Sequence, residues 1–400
     1  MNAAAITDVL VKPLSRAPVD RQEYEMCEHK GIGHPDTIAD AACEAASREL
    51  SLAYRERFGQ IMHHNLDKGL LVAGSSAPRF GGGAVTDPMK IIICGRATTH
   101  GGKIDAREIA AAAARRYLQQ HIRCDPDQFR SATEIKEGSS NLQAVMPGRR
   151  GLVLCNDTSF GVGFAPYSRL EQAVLQLAKV LKSDEFRRDF PAAGDDYKIM
   201  AYRRDSQGVP VMTVALAMID KPVASANQYF ALKQAIRDRL LSNLAAPVEI
   251  RINVLDDVDS KDEHGIYLTV TGLSAEMGDD GQVGRGNRAS GMITPNRAMS
   301  LEAVAGKNPV SHVGKIYNVM ATLMARDIHD SIEAVEEINV LLLSAIGRPI
   351  GQPQAAVAEL SVKGRITAAL KGQVRAIVHR WLTNTDQVTN LILQQEAPLY

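Results

Sequence analysis

The 400-residue chain has few aromatic residues, a single tryptophan, no excess of either charge and no long apolar run. Its 46 basic and 46 acidic side chains cancel, so no global field attracts nucleic acid or an anionic membrane, and any anion site must be local. No apolar run reaches the ~18 residues of a membrane span, and the N-terminus lacks the basic-then-apolar order of a signal peptide. We therefore expect a globular protein without nucleic-acid or membrane partners.

Cysteine is scarce as well, because the five cysteines are odd in number and none forms a CxxC pair. This pattern argues against a disulfide framework or a zinc site and is typical of reduced thiols in a cytoplasmic enzyme. The hydrophobic content of 45% and the charged content of 23% are ordinary for a globular protein. The chain length predicts two or three domains.

The stretch with the most chemistry reads GDDGQVGRGNR at residues 278–288 and is followed by AGKNP at 305–309. Glycine permits positive φ and exposes successive backbone N–H groups, which form concave anion sites. Arg285 and Lys307 add cations that match phosphate oxygens, and Asp279 supplies oxygen of the kind that Mg²⁺ prefers. The stretch therefore predicts a polyphosphate–metal cradle, although a solvated surface loop has the same composition.

Two better-known nucleotide motifs are excluded. Residues 284–289 have the spacing of a dinucleotide fingerprint, but a glycine- and acid-rich turn precedes them where a strand is required. Gly306 and Lys307 resemble the end of a P-loop. However, Leu301 stands where the first glycine belongs, and Asn308 replaces the Ser or Thr that binds magnesium.

His34 and Asp36 lie at the predicted start of a helix that runs to Gly59. Pro35 suits the first helical position, where its missing N–H group costs nothing. A helix start attracts anions, so His34 would donate a hydrogen bond to a phosphate or a developing oxyanion. The alternative is a simple N-terminal cap. Asp36 would either bind a metal or only complement the helix dipole.

Further candidates lie near predicted strands. His63 and His64 are neighbours on a strand and point to opposite faces, so we expect one to line a pocket and the other to pack. Asp157 follows a predicted buried strand at 152–155, where ligands often meet α/β sheets. Lys198 lies on another predicted strand and would reach phosphate if it pointed inward, whereas a solvated strand lysine is the commoner case.

Predicted helices and strands alternate, but many strands are adjacent, which favours α+β layers over one parallel sheet. The segment 309–346 is predicted to be largely helical, with His312 and Lys315 on one face. Residues 1–20 are expected to be irregular, and the last helix is predicted near 363–383.

Together these motifs resemble the archaeal-type S-adenosylmethionine synthetases (methionine adenosyltransferases). The matching motifs are GIGHPD at 31–36, RFGGG at 79–83, NDTSFGVGFAP at 156–166, the run at 278–287 and GKNPVSHVGKIYN at 306–318. The likeness extends from about residue 24 to about residue 345, and the motifs occur in the order typical of the family. Residues 348–400 carry no motif that we can place.

The resemblance implies a transferase reaction in which the methionine sulfur attacks C5′ of ATP and expels the whole triphosphate, which is then cleaved to pyrophosphate and phosphate. The substrates would be ATP and L-methionine, and the cofactor would be Mg²⁺, with a requirement for K⁺ left open. Such a site needs many cations and no nucleophilic side chain, because the sulfur is the nucleophile.

The resemblance also implies roles for individual residues. The catalytic set is His34, Lys198, Arg285 and Lys307. The nucleotide-binding set is Lys136, Glu137, Gly138, Ser139, Ser140, Asn141, Asp279 and Lys315. Asp157 and His63 would contact methionine or adenosine, and Asp36 would bind magnesium. The loop at 136–141 departs from the family pattern, which is rich in Gly and Ser and ends in Asp.

The family fold implies an α+β protein of three similar α/β-layer domains built from interleaved segments. Transferred by motif position, the domains are 1–29 with 168–273 (N-terminal), 30–146 with 274–316 (central), and 147–167 with 317–400 (C-terminal). The family also implies a homodimer or higher homo-oligomer, with residues of two chains completing each site.

Other functions are compatible with parts of the pattern. Another ATP- or polyphosphate-handling enzyme, such as a kinase or a ligase, would share the magnesium–phosphate chemistry and differ in its nucleophile. A protein that only binds nucleotide would not need the full cationic set, and a scaffold protein would need neither the paired acids nor the basic residues around glycines.

Overall fold

The computed structural model describes residues 8–99, 101–139 and 153–400. The strands are β1 Val9–Pro13, β2 Tyr24–Lys30, β3 His64–Val72, β4 Ser75–Ala77, β5 Ala84–Asp87, β6 Met89–Ala97, β7 Phe129–Lys136, β8 Phe160–Ala165, β9 Ala193–Arg204, β10 Val211–Ile219, β11 Glu249–Ile252, β12 Leu268–Thr269, β13 Gly281–Gln282, β14 Val335–Leu343 and β15 Ala355–Val362. The α-helices are α1 Pro35–Phe58, α2 Ala106–His121, α3 Arg169–Leu181, α4 Asp184–Asp189, α5 Ala226–Ser242, α6 Val313–Ser331, α7 Ala368–Thr383 and α8 Thr385–Leu393.

The described residues form three larger sheets and a two-stranded sheet of β4 and β5, and the predicted α+β class is confirmed. One sheet has the strand order β1-β15-β14-β8 and packs on α6 and α7. The second has the order β11-β10-β9-β2, with β12 beside β10, and packs on α3 and α5. The third has the order β13-β3-β6-β7 and packs on α1 and α2. Each sheet has its own hydrophobic core.

The sheets are interleaved along the chain, as the resemblance implied. β2 hydrogen-bonds to β9, across more than a hundred intervening residues, and β13 joins β3 at Gly281 and Gln282. β1 pairs with β15, although the predicted division placed residues 1–29 with 168–273. Sheet membership alone does not define domains, so the predicted boundaries stay predictions.

Several local predictions were wrong because periodicity does not separate a buried strand from a helix. Within 309–346 only α6 is helical, and the apolar run of β14 is a central strand between β15 and β8. Residues 1–20 include β1, and α8 follows α7 after the predicted last helix. Of the strand predicted at 152–155, Leu154 forms an isolated bridge to Pro349, and residue 152 lies outside the described residues.

α1 was predicted correctly. It begins at Pro35, ends at Phe58, and is terminated by Gly59 in the left-handed region at φ 72°. Within the ranges described, no helix is long and apolar enough to cross a membrane.

Candidate active site

His34 caps the N-terminus of α1, because its Nδ1 atom accepts a hydrogen bond from the Asp36 amide at 3.2 Å. Burial lowers the pKa of His34 to about 4; Asp36 opposes this shift, and nearby cations reinforce it. The imidazole is therefore neutral near pH 7, and with Nδ1 as acceptor its proton resides on Nε2. His34 can thus serve as a cap and as a neutral hydrogen-bond donor at once.

The charges of three cations, namely Lys30, Lys198 and Arg285, help to lower the pKa of His34. Lys30 is buried, and its Nζ donates to Asp36 Oδ2 at 2.9 Å and to the Arg285 carbonyl oxygen at 2.7 Å. Lys198 has a 41% exposed side chain on the open face of β9, 3.7 Å from Glu28. Among the described residues, no carboxylate pairs with the exposed Arg285 guanidinium. The structure therefore brings Lys198 and Arg285 together at His34, and it adds Lys30, which the sequence analysis missed.

Asp36, the predicted magnesium ligand, is engaged by the protein. Its Oδ1 accepts the Gln282 amide at 2.9 Å, and its Oδ2 accepts from Lys30. In the described part of the chain, no group of three or more His, Cys, Asp or Glu side chains could hold a metal ion. One carboxylate at this position still fits Mg²⁺, which is commonly held by one or two carboxylates together with substrate phosphates.

The glycine-rich run folds tightly against α1. A Cβ atom at Gly281 would come within 2.2 Å of the Pro35 carbonyl oxygen, so only glycine fits there. The amides of residues 282–285 all have acceptors inside the protein, which are Asp36, the Gly69 carbonyl, Asp40 and the Gln282 carbonyl. The expectation that these amides form an anion-binding concavity is therefore wrong for residues 282–285. Anion contacts here must come from side chains.

Asp40, one turn after Asp36 on α1, hydrogen-bonds to this run. Its Oδ1 accepts the Gly284 amide at 2.7 Å, and the side chain is almost completely buried. Burial raises the pKa of Asp40 to about 7, while the amides of Gly284 and Gly286 and the charge of Arg288 lower it.

Lys307 and Lys315 have different surroundings. Lys307 Nζ lies 3.3 Å from Asp67 Oδ2 and 3.2 Å from Glu302 Oε2, at the edge of an open cleft. Lys315 is fully buried, and its Nζ contacts both Glu44 carboxylate oxygens at 2.7 and 2.6 Å. The prediction that Lys315 contacts nucleotide is not supported by this geometry, because its donors are directed into the protein and are taken by Glu44.

The cleft has two contiguous parts that share Asp67, Lys68, Cys94, Glu302 and Lys307. The first, the glycine-loop part, has a volume of about 900 Å³. The second, the strand-end part, has a volume of about 710 Å³. The further lining of the glycine-loop part includes Gly284, Arg285, Phe160 and Leu301, and that of the strand-end part includes Lys136, Asn156, Asp157 and His312.

The strand-end part unites two of the predicted binding residues. Lys136 is the last residue of β7, and Asp157 is exposed with its Oδ1 accepting the Thr158 amide at 2.7 Å. Glu137 turns away and accepts hydrogen bonds from the Thr99 amide at 3.0 Å and hydroxyl at 2.6 Å. The loop continues through Gly138 and Ser139.

The remaining predicted residues have the following places. Ser140 and Asn141 lie outside the described residues. Asp279 is exposed, accepts from the Ser274 hydroxyl at 3.2 Å, and is not among the residues that line either part of the cleft.

Both adjacent histidines are buried and only His64 lies on β3, so the expected alternation of the two side chains along a strand is wrong. His64 is a packing residue, because Nε2 lies 2.9 Å from the Ser47 hydroxyl and Nδ1 lies 3.0 Å from the Met62 carbonyl oxygen. His63 is only 1% exposed, and neither of its ring nitrogens has a hydrogen-bond partner within the described ranges. His63 lines neither part of the cleft, so its predicted contact with substrate stays a prediction.

Comparison with known proteins identifies the family. The model of the S-adenosylmethionine synthetase (AdoMet synthetase) family matches residues 7–396. The S-adenosylmethionine synthase of Methanothermobacter thermautotrophicus is 43% identical over 396 residues, covering 97% of this chain and 98% of that protein. That of Pyrococcus furiosus is 42% identical over 402 residues, covering 98% and 99%.

Among solved structures, an unusual S-adenosylmethionine synthetase from Campylobacter jejuni has a similar fold, with a TM-score of 0.64 at 13% sequence identity. The alignment covers 94% of each chain. At this identity the likeness concerns the fold alone, and the full-length sequence relatives carry the assignment. The resemblance predicted from the motifs is confirmed: the chain belongs to the S-adenosylmethionine synthetase family.

Proposed function

We propose that the chain transfers the adenosyl group of ATP to the sulfur of L-methionine, giving S-adenosylmethionine, and cleaves the expelled triphosphate to pyrophosphate and phosphate. The observation that supports this proposal within the family is the set of cations beside the start of α1: Lys30 Nζ contacts Asp36 at 2.9 Å and the Arg285 carbonyl oxygen at 2.7 Å, and Lys30 and Lys198 lie 3.6 and 3.7 Å from the same Glu28 carboxylate oxygen. An expelled triphosphate is a concentrated anion, and preorganised donors and cations are what stabilise it.

Each residue near His34 has a task in this reaction. The His34 Nε2–H group donates to the departing triphosphate oxygen, and the guanidinium of Arg285 binds phosphate oxygens in two parallel contacts. Lys198 adds a third donor from the open face of β9. Lys30 keeps Asp36 in place through its 2.9 Å contact. No side chain acts as a nucleophile, because the methionine sulfur attacks carbon directly and the protein contributes orientation and charge.

Lys307 brings a fourth cation, because it lines the glycine-loop part together with Arg285. Its present partners, Asp67 and Glu302, are carboxylates that a triphosphate would replace. In the strand-end part, Asp157 is placed to attract the ammonium group of methionine, and Lys136 to attract an anionic group. In this proposal the phosphates bind beside the glycine-rich run, and methionine and adenosine bind in the strand-end part, beyond Lys307.

Mg²⁺ is the proposed cofactor, with Asp36 as its protein ligand; bound together with the phosphates, it would neutralise charge on the leaving group. A K⁺ requirement is proposed only by family likeness. The cytoplasmic location also stays a prediction.

We further propose a homodimer, supported by apolar side chains on two open sheet faces. Leu70 and Val72 alternate outward on β3 and are 43% and 40% exposed. Met200 and Tyr202 alternate outward on β9 and are each 41% exposed, on the same face as Lys198. Burying such faces between two copies would stabilise association and place Lys198 near the boundary of two chains. Light scattering at assay concentration should give twice the chain mass; a fully active monomer would exclude the dimer.

The experiment that tests the function is product analysis. The protein is incubated with ATP, Mg²⁺ and L-methionine, and the products are separated and identified by mass. The expected products are S-adenosylmethionine, pyrophosphate and phosphate, formed only when methionine is present. ADP would indicate a kinase and AMP a ligase, and either one without a sulfonium product would contradict the proposal.

A further inference from the structure

One face of α1 carries a row of polar side chains that bind the two segments bearing Arg285 and Lys307. The row is Asp36, Asp40, Glu44 and Ser47, spaced four, four and three residues apart, so that all four lie on the same side of the helix. Asp36 accepts the Gln282 amide at 2.9 Å, and Asp40 accepts the Gly284 amide at 2.7 Å. Glu44 accepts the Gly306 amide at 2.9 Å, and Ser47 donates to the Lys307 carbonyl oxygen at 3.0 Å.

Within this row, Asp40 contacts the glycines on both sides of Arg285. Its Oδ1 accepts the Gly284 amide, and its Oδ2 lies so close to the next glycine that a Cβ atom at Gly286 would approach it to 2.1 Å. Arg288 holds the other side of the same turn and donates to the Gly284 and Gly286 carbonyl oxygens at 2.5 and 2.8 Å. The backbone on both sides of Arg285 is thus held by one acid and one base.

These contacts matter because the Gly284–Gly286 turn has little intrinsic preference for one conformation. Gly284 has a φ of +89°, a region that glycine enters without cost but leaves as easily. The Arg285 side chain itself contacts no carboxylate among the described residues. Its direction is therefore set by the backbone beneath it, and that backbone is held by Asp40, by Arg288 and by Lys30, whose Nζ donates to the Arg285 carbonyl oxygen at 2.7 Å.

We propose that Asp40 is a positioning residue that directs Arg285 toward the bound polyphosphate by fixing the Gly284–Gly286 turn. Asp40 does not touch substrate and acts only through Arg285. The inference rests on the proposed function for the identity of the polyanion, but the positioning itself is measurable without catalysis.

The test is a double-mutant cycle on the binding of inorganic tripolyphosphate with Mg²⁺, measured by titration calorimetry on the full chain. Asp40→Ala should weaken binding by about tenfold to a hundredfold, the scale of losing a well-placed contact. Arg285→Ala should weaken it by a similar factor. In the Arg285→Ala background, Asp40→Ala should change the dissociation constant by less than about twofold, because the residue through which it acts is absent.

Two further variants separate positioning from general stability. Asp40→Asn keeps an oxygen acceptor for the Gly284 amide and should retain affinity within a few-fold. If Asp40→Ala is too unstable to assay, Asp40→Ser replaces it in the same cycle. Tyr54→Phe is the matched control, because it removes another buried hydrogen bond from α1, to the Thr98 carbonyl oxygen at 2.6 Å, away from the cradle. It should leave tripolyphosphate binding unchanged.

Equal losses from the Asp40 truncation with and without Arg285 would overturn the positioning role, and so would equal losses in Tyr54→Phe. A failure of the proposed function is seen separately. If the parent protein binds tripolyphosphate and the variants show the expected coupling, but no S-adenosylmethionine forms, the positioning role is supported and the proposed reaction is rejected. If the parent protein makes S-adenosylmethionine but the losses in tripolyphosphate affinity of the two variants are additive, only the positioning role is rejected.

Discussion

Replacing His34 by Asn separates its observed role as a helix cap from its proposed role as a hydrogen-bond donor to the leaving triphosphate. The imidazole Nδ1 accepts the Asp36 amide at 3.2 Å, which satisfies one of the free N–H groups at the start of α1. Asn is among the best helix N-caps, so its side-chain oxygen can take over this hydrogen bond. The Nε2–H donor has no such substitute at the same reach. The variant therefore keeps the cap and removes the donor.

The expected size of the effect follows from the ionisation state. With the pKa of His34 lowered to about 4 by burial, only about one molecule in a thousand carries an imidazolium at pH 7. What His34→Asn removes is therefore a neutral hydrogen bond that strengthens as charge develops on the leaving triphosphate. Loss of one such donor costs about two to three orders of magnitude in kcat, or roughly 2.7–4 kcal/mol of transition-state stabilisation. Stability should change by only a few tenths of a kcal/mol.

The assay measures kcat, the KM for methionine and the midpoint of thermal unfolding for parent and variant. The expected result is a large loss of kcat, a methionine KM within about twofold, and nearly unchanged unfolding, since the lost contact is made in the transition state. Thr367→Asn exchanges another side-chain cap, at the start of α7, and should be silent in all three measurements. A His34→Asn protein that folds normally and turns over within a few-fold of the parent would show that His34 is a cap and nothing more.

Three other predictions concern charge. Arg285→Ala and Lys307→Ala should each weaken ATP binding by roughly 1.5–3 kcal/mol, and the exposed Arg285 should be lost with almost no change in thermal unfolding; lower stability of Arg285→Ala with unchanged kinetics would instead mark Arg285 as a surface charge. Lys315→Met should destabilise the fold by about 3–5 kcal/mol because it leaves Glu44 buried and unpaired, and adding Glu44→Leu should restore much of that loss in denaturant unfolding; two additive losses would contradict the pairing. Burial lowers the pKa of His64 to about 3, so the unfolded chain binds a proton there that the folded chain does not. The free energy of unfolding should therefore fall as pH drops from about 6.5 toward 3, by up to about 1.4 kcal/mol per unit, and the dependence should be shallower in His64→Gln.

The parts of the site that the sequence revealed have local chemical signals. Pro35 after His34 marks the helix start, and Gly59 marks its end, so α1 and its cap could be predicted from adjacent residues. The glycine-rich run around Arg285 is similarly visible, because clustered glycines and charges are unusual together. These features depend on short-range stereochemistry, which the order of residues encodes directly.

The parts that were missed depend on distant contacts. Lys30 ends a strand and gives no sign of burial until Asp36 and the Arg285 carbonyl oxygen are placed beside it. Lys315 has the spacing of a phosphate ligand on a helix face, but Glu44, 271 residues away, takes its charge. Lys30 and Lys315 are both lysines in the sequence, so only the tertiary fold distinguishes a cation that can bind a ligand from one that is already neutralised by a carboxylate. Asp40 did carry a usable signal, since it follows Asp36 by one helical turn on the same face.

The largest revision concerns how the cradle holds its anion. A glycine-rich run suggested phosphate bound by free backbone amides, as in other nucleotide sites. Here α1 acids accept the amides of Gln282, Gly284 and Gly306, so these amides are unavailable to a ligand. The glycines instead allow the run to lie close against α1, and we expect specificity for a polyanion to come from side chains that project from it. The contacts with α1 then fix the position of the glycine-rich run. The side-chain cations, rather than the backbone of this run, should contribute most of the free energy of triphosphate binding.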